Sequence, residues 1–190
     1  MSGSNNLLFL AAAVVLFGFV CKRPNPTPFV LPTNAPPPPL VNMEVKTVAI
    51  YLIAEDGTYA RDDAAKVFGA KIIGCNDYAV PVRIPSEIDV SLKNYLTFLL
   101  GFSDRKATED YGYRNYLAAQ KLTVDTVDKT ADGSFLVNLK GEIFSAGVCD
   151  DPRIIEQVEL TAAQFGKVKI LLNGSESAWR CFGDQSGLCK

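Results

Sequence analysis

Between residues 44 and 174 the spacing of apolar positions changes period several times, and each change marks an element. Thr47 to Ala54, TVAIYLIA, is apolar on both faces and predicts a central strand, closed by the turn Glu55-Asp56-Gly57. Residues 58–70 hold no clear period and predict an insertion with a helical turn over Asp62 to Phe68. Lys71 to Gly74 and Tyr78 to Ile84 predict short strands. In the second, Val80, Val82 and Ile84 alternate toward one face, while Pro81 and Pro85 lack an N–H and predict a sheet edge. Ser91 to Phe102 switches to helical spacing, with Leu92, Tyr95, Leu96, Leu99 and Leu100 on one stripe. A charged loop, Ser103 to Asp110, then leads to a helical turn near Tyr113 to Ala119. Leu122 to Val127 and Phe135 to Leu139 flank Ala131-Asp132-Gly133, a hairpin signature.

The run from Cys149 to Gly174 reads as one unit. Asp151 is placed to cap a helix, Pro152 suits its first turn, Gly166 suits its end, and Val168 to Leu172 follows as a strand. Ile154, Val158, Ala162 and Phe165 form the stripe that faces a sheet. Gln157 and Gln164, two helical turns apart, predict polar contacts to a neighbouring loop more readily than a ligand site. The order of elements predicts an α+β domain, a two-layer sandwich in which a mixed sheet carries two main helices on one face.

Ahead of this domain the pattern is different. Leu7 to Val20 is apolar without a charge, and at ~1.5 Å per residue it spans only about 20 Å against a bilayer core of roughly 30 Å. That length fits an export signal slightly better than a full span, and a short anchor remains an alternative. Lys22 and Arg23 follow the run and no basic residue precedes it, which is the reverse of what the positive-inside rule asks of an exported C-terminus. Cys21 is a candidate lipidation site, although Val20 is a poor residue to precede one. Pro24 to Pro39 holds eight of the eleven prolines and predicts an extended, semi-rigid spacer. The chain therefore divides into a signal or anchor segment (1–23), a spacer (24–43), a folded domain (44–174) and a C-terminal tail (175–190).

Composition narrows the chemistry. The 190 residues contain no histidine, which removes the usual triad base and the commonest transition-metal ligand, and the net charge of -2 offers no basic stripe for nucleic acid. Asp128, Asp132, Asp150 and Asp151 suit turns and a helix start and have no calcium-loop spacing, so no metal or cofactor is expected. A carboxylate-dependent hydrolase would need two acidic residues converging in one cleft. Tyr111, Tyr113 and Tyr116 cluster after the charged loop, and are candidates for stacking on a glycan as well as for core packing. Five cysteines at 21, 75, 149, 181 and 189 include no CxxC pair, so disulfides are the natural reading if the domain is exported.

The segments VAIYLIAEDG, GCNDYAVPVRIP, LKNYLTFLL, LTVDTVDKTADGSFLVNL, GVCDDPR and QFGKVKILLNG, in this order, resemble GerMN domains, the extracytoplasmic modules named from bacterial sporulation and spore germination proteins. The resemblance covers roughly Thr47 to Gly174. It implies an exported or membrane-tethered domain without catalytic residues that serves assembly or ligand contact in the cell envelope. It also implies a disulfide between Cys75 and Cys149, since one branch of the family carries cysteines in matching segments. Cys181 and Cys189 are expected to close a loop in the tail, entered by a strand. The expected partners are envelope proteins, or alternatively a cell-wall component such as a peptidoglycan fragment, with the N-terminal segment at a membrane.

Overall fold

The computed structural model describes residues 46–182. The expectations for the signal or anchor segment, Cys21, the spacer and Cys189 fall outside these residues. Among the described residues no helix is long and apolar enough to cross a membrane. The elements are β1 (Thr47–Ala54), α1 (Tyr59–Ala64), β2 (Lys71–Ile72), a 3-10 turn (Gly74–Asn76), β3 (Tyr78–Pro85), α2 (Leu92–Gly101), α3 (Asp104–Tyr111), β4 (Lys121–Lys129), β5 (Phe135–Glu142), α4 (Asp150–Ala163), β6 (Val168–Leu172) and α5 (Glu176–Arg180).

The class is α+β, as the pattern predicts, and the strands divide into two three-stranded sheets. One has the order β1-β3-β2 and is antiparallel; the other has the order β4-β5-β6 and is mixed, with β4 antiparallel and β6 parallel to β5. Helices α2 and α4 pack on each other and on strands of both sheets. One apolar core results, joining Val48, Ile50 and Leu52 of β1 to Leu96 and Leu99 of α2, Val137 and Leu139 of β5, and Ile154 and Val158 of α4. Each such aliphatic side chain contributes about 1.5–3 kcal/mol by leaving water.

Five local expectations are corrected. Strand β3, not β1, lies at the centre of its sheet despite two prolines. The reason is geometric: Tyr51, opposite Pro81, turns its own N–H and C=O away from β3, so the missing N–H of Pro81 points to the far side, where β2 has already ended at Lys71. The first helix covers Tyr59–Ala64, ahead of the expected turn. Asp104–Tyr111 is a helix rather than a loop. Ser103 accepts from the Lys106 N–H at 3.5 Å and Gly112 closes the helix at φ 74°, but only Ala107 is buried, so the segment has no apolar stripe to read. Helix α4 starts from Cys149 rather than Asp151, and both aspartates tie down the preceding loop: Asp150 accepts from the Ala146 N–H at 3.0 Å and Asp151 from the Ser145 hydroxyl. Residues 176–180 form α5 instead of a strand, capped by Ser175, whose hydroxyl accepts from the Ala178 N–H at 3.2 Å. Trp179 on this helix is 1% exposed and joins the core.

Candidate functional site: an arginine cluster beside a disulfide

The outer edge of β1 is closed by side chains instead of a strand. The Tyr51 N–H donates to Thr161 Oγ1 at 3.0 Å, while Gln157 and Gln164 donate to the carbonyls of Tyr51 and Ala49 at 2.9 and 3.0 Å. Farther along, Ile53 and Arg114 exchange two backbone hydrogen bonds, at 2.9 and 2.8 Å. Gln157, 0% exposed, also accepts from the Tyr116 N–H at 2.9 Å and donates to Asn115 Oδ1 at 3.2 Å. Asn115 in turn donates to the carbonyls of Leu99 and Phe102 at 2.9 and 2.7 Å, which satisfies the open end of α2. The stretch 113–117 is thus fixed between α2, α4 and β1, and carries Arg114 and Tyr116 into place.

Four segments then meet at Arg153 on the first turn of α4. Its Nε donates to Asp77 Oδ2 at 2.6 Å, and its Nη1 lies 2.7 Å from the Tyr116 hydroxyl, 3.2 Å from Asp150 Oδ1 and 3.7 Å from Glu55 Oε1. Its guanidinium also covers the Tyr116 ring, 4.8 Å from the centroid. The Tyr116 hydroxyl donates to Glu55. Asp77 is 0% exposed and also accepts from the Asp56 N–H at 2.7 Å. Arg114 forms an outer layer, with two hydrogen bonds of 3.0 Å from Nε to the Asp104 carboxylate.

The electrostatics hold protons where they are. Burial, followed by the hydrogen bond to Glu55, pushes the Tyr116 phenol well above its ordinary range. Burial works against the charge of Arg153, and its hydrogen bond to Asp77 together with the charges of Tyr116, Asp77 and Glu55 outweighs that, leaving the guanidinium pKa raised. The hydrogen bond with Asp104 likewise raises Arg114. Three carboxylates, of Glu55, Asp77 and Asp150, converge here on Arg153.

The cluster adjoins a disulfide between Cys75 and Cys149, with Cα atoms 5.6 Å apart and a sequence separation of 74. Cys75 and Asn76 both have left-handed backbones, at φ 59° and 62°. Gly74 beside them has a conformational role of another kind: a Cβ there would stand 2.7 Å from Cγ of Pro152. The two cysteines therefore dock the 3-10 turn onto the start of α4, and bring Asp77 to Arg153.

Of the residues singled out from the sequence, Cys75 and Cys149 pair as the resemblance implies. Cys181 caps the end of α5. Tyr111, Tyr113 and Tyr116 are each half-buried and lay a face on the core; Tyr113 also packs with Ala54, Ala64 and Val80. The ring of Tyr116 alone enters the arginine cluster. Gln157 and Gln164 make the polar contacts expected of them, chiefly to β1, and Gln157 also to the 113–117 loop. Glu55, Asp77, Arg114 and Arg153 escaped the sequence reading, because they stand on four separate segments; the only local signal is the spacing of Asp150 and Arg153, one helical turn apart.

Fold and site together define an α+β domain held by a disulfide and a buried ion cluster. No family model matches the chain, and no curated protein matches it. Among solved structures it is similar to the first GerMN domain of the sporulation protein GerM from Bacillus subtilis, with 23% identity, 68% of this chain and 84% of that one covered, and a TM-score of 0.45. It is also similar to the tandem GerMN domains of the same protein, at 21% identity and a TM-score of 0.43, where it spans 40% of that chain.

Proposed function

We propose that this chain is a non-enzymatic domain held outside the cytoplasm at a membrane, and that it works through contacts with other envelope proteins. The supporting observation is the Cys75–Cys149 disulfide, which joins segments 74 residues apart; such bonds persist in oxidising compartments. The apolar run Leu7 to Val20 supplies the tether and the proline-rich stretch the spacer. Arg153, bonded among Glu55, Asp77 and Asp150, supports a structural use of the carboxylates that meet there.

A fusion of the full chain to alkaline phosphatase, which is active only after export, tests the compartment. Phosphatase activity, together with Cys75 and Cys149 oxidised in unreduced peptides from intact cells, is the expected result. An inactive fusion with both thiols alkylated in the cytosol overturns the reading. Crosslinking from native membranes then tests for a protein neighbour.

A further inference from the structure

Three of the sheet edges among the described residues are bonded or interrupted along part of their length. The outer edge of β1 is bonded by Thr161, Gln157, Gln164 and Arg114. The far side of β3 beyond β2 presents Pro81 and Pro85, which have no N–H to offer. At the end of β6, Leu172 exchanges two backbone bonds with Ser175. Strand β4 differs: it is nine residues long, lies at the end of the order β4-β5-β6, and pairs with β5 alone.

The pairing fixes which of its backbone groups point outward. Phe135 and Leu139 of β5 bond residues 167 and 173 beside β6, so alternate residues Phe135, Val137 and Leu139 turn their N–H and C=O toward β6. Their partners across the β4 ladder, Lys129, Val127 and Val124, therefore form non-bonded pairs and direct their own N–H and C=O away from the sheet. No described group bonds them. Lys93 of α2 reaches only the neighbouring carbonyl of Asp125, at the bulge between Val124 and Thr126. The strand is also rich in Thr and Val, residues that suit a pleated ladder.

We infer that the outer edge of β4 over Val127 to Lys129 takes an extended strand from a partner protein, with a lysine or arginine of that strand against Asp128. Charge selects the occupant. The edge carries lysines at its ends, Lys121 and Lys129, and aspartates inside, Asp125 and Asp128. Asp125 already has Lys140 at 3.8 Å and Asn138 Nδ2 at 3.1 Å, whereas no described cation lies within ion-pair distance of Asp128. A second copy in antiparallel register, with Val124 opposite Val127, would set each Asp125 against Thr126 and each Asp128 against Thr123, and so brings no cation to Asp128. A strand with a central basic residue supplies that charge.

The inference rests on the protein-contact reading, and its test is separate from that of the compartment: loss of strand binding would leave the phosphatase and disulfide results untouched. The full chain in detergent micelles is titrated, by fluorescence anisotropy, into a labelled heptapeptide that alternates valine with threonine around a central lysine. Saturable binding is expected, weakened about tenfold when alternate amides of the peptide are N-methylated, which removes its donors to the edge. Val127→Pro, which deletes an outward N–H and no bond to β5, should weaken binding similarly, and Asp128→Lys should weaken it most at low salt. If Val127→Pro does not fold, the N-methylated peptide on the unaltered chain decides alone. No binding, binding indifferent to N-methylation, or a dimer in sedimentation that occupies the edge instead of peptide would each overturn the inference.

Discussion

Arg153 and Asp77 show what single residues carry. Asp77 is fully buried and its carboxylate oxygens are both bonded, by Arg153 at 2.6 Å and by the Asp56 N–H at 2.7 Å. Arg153→Met keeps the side-chain length and removes the charge, stranding a buried carboxylate; unfolding in urea should show a loss of about 3–5 kcal/mol. Tyr116→Phe removes a donor to Glu55 and an acceptor for Arg153, with an expected loss of about 1–2 kcal/mol. The same phenol gives a pH dependence of known sign. Its pKa in the fold lies above the unfolded value of 10.0, so the protonated form is favoured by folding. The stability tied to it is complete below pH 10.0 and is lost as the pH climbs from there toward the folded pKa. Tyr116→Phe should flatten this alkaline loss in unfolding titrations; an unchanged slope would remove Tyr116 from it. A backbone case is Gly141, at φ 131°, where a Cβ would lie 1.8 Å from the Lys121 carbonyl oxygen. Gly141→Ala should cost on the order of 3 kcal/mol or prevent folding.

At the scale of elements, α4 does the work of a missing strand. Gln157 bonds Tyr51, Asn115 and Tyr116 from a fully buried position, whereas Gln164 bonds Ala49 from an exposed one. Gln157→Leu leaves the Tyr51 carbonyl and the Tyr116 N–H without their partner and should destabilise by about 2–3 kcal/mol; Gln164→Ala should cost under about 1 kcal/mol. Similar losses for both would mean that burial of these bonds has no weight. The elements themselves were legible in unequal measure. Helices α2 and α4 and the β4–β5 hairpin stood out because apolar stripes and a turn sequence marked them. Helix α3 did not, since one buried alanine gives no period, and α5 was missed because five residues around a single core tryptophan resemble a strand as well as a helix. The centre of the first sheet was misplaced because the effect of Pro81 depends on which way its neighbour Tyr51 points.

For the whole molecule, the Cys75–Cys149 bond closes a loop of 74 residues, so the chain-entropy argument assigns it about 4 kcal/mol. Cys75→Ser with Cys149→Ser should lower the urea midpoint accordingly while leaving the secondary structure in circular dichroism; an unchanged midpoint would mean that the ion cluster alone docks the 3-10 turn. The amino-acid sequence by itself determined the α+β class, the two main helices and the hairpin, because these depend on periodicity and spacing within a segment; the cysteine pair was legible only through the resemblance. Only the tertiary structure decided that the strands form two sheets, that side chains of α4 close the edge of β1, and that Glu55, Asp77, Asp150 and Arg153 meet. Those facts depend on contacts between segments far apart in the chain, where local pattern is silent and the burial of each polar group has to be solved together with all the others.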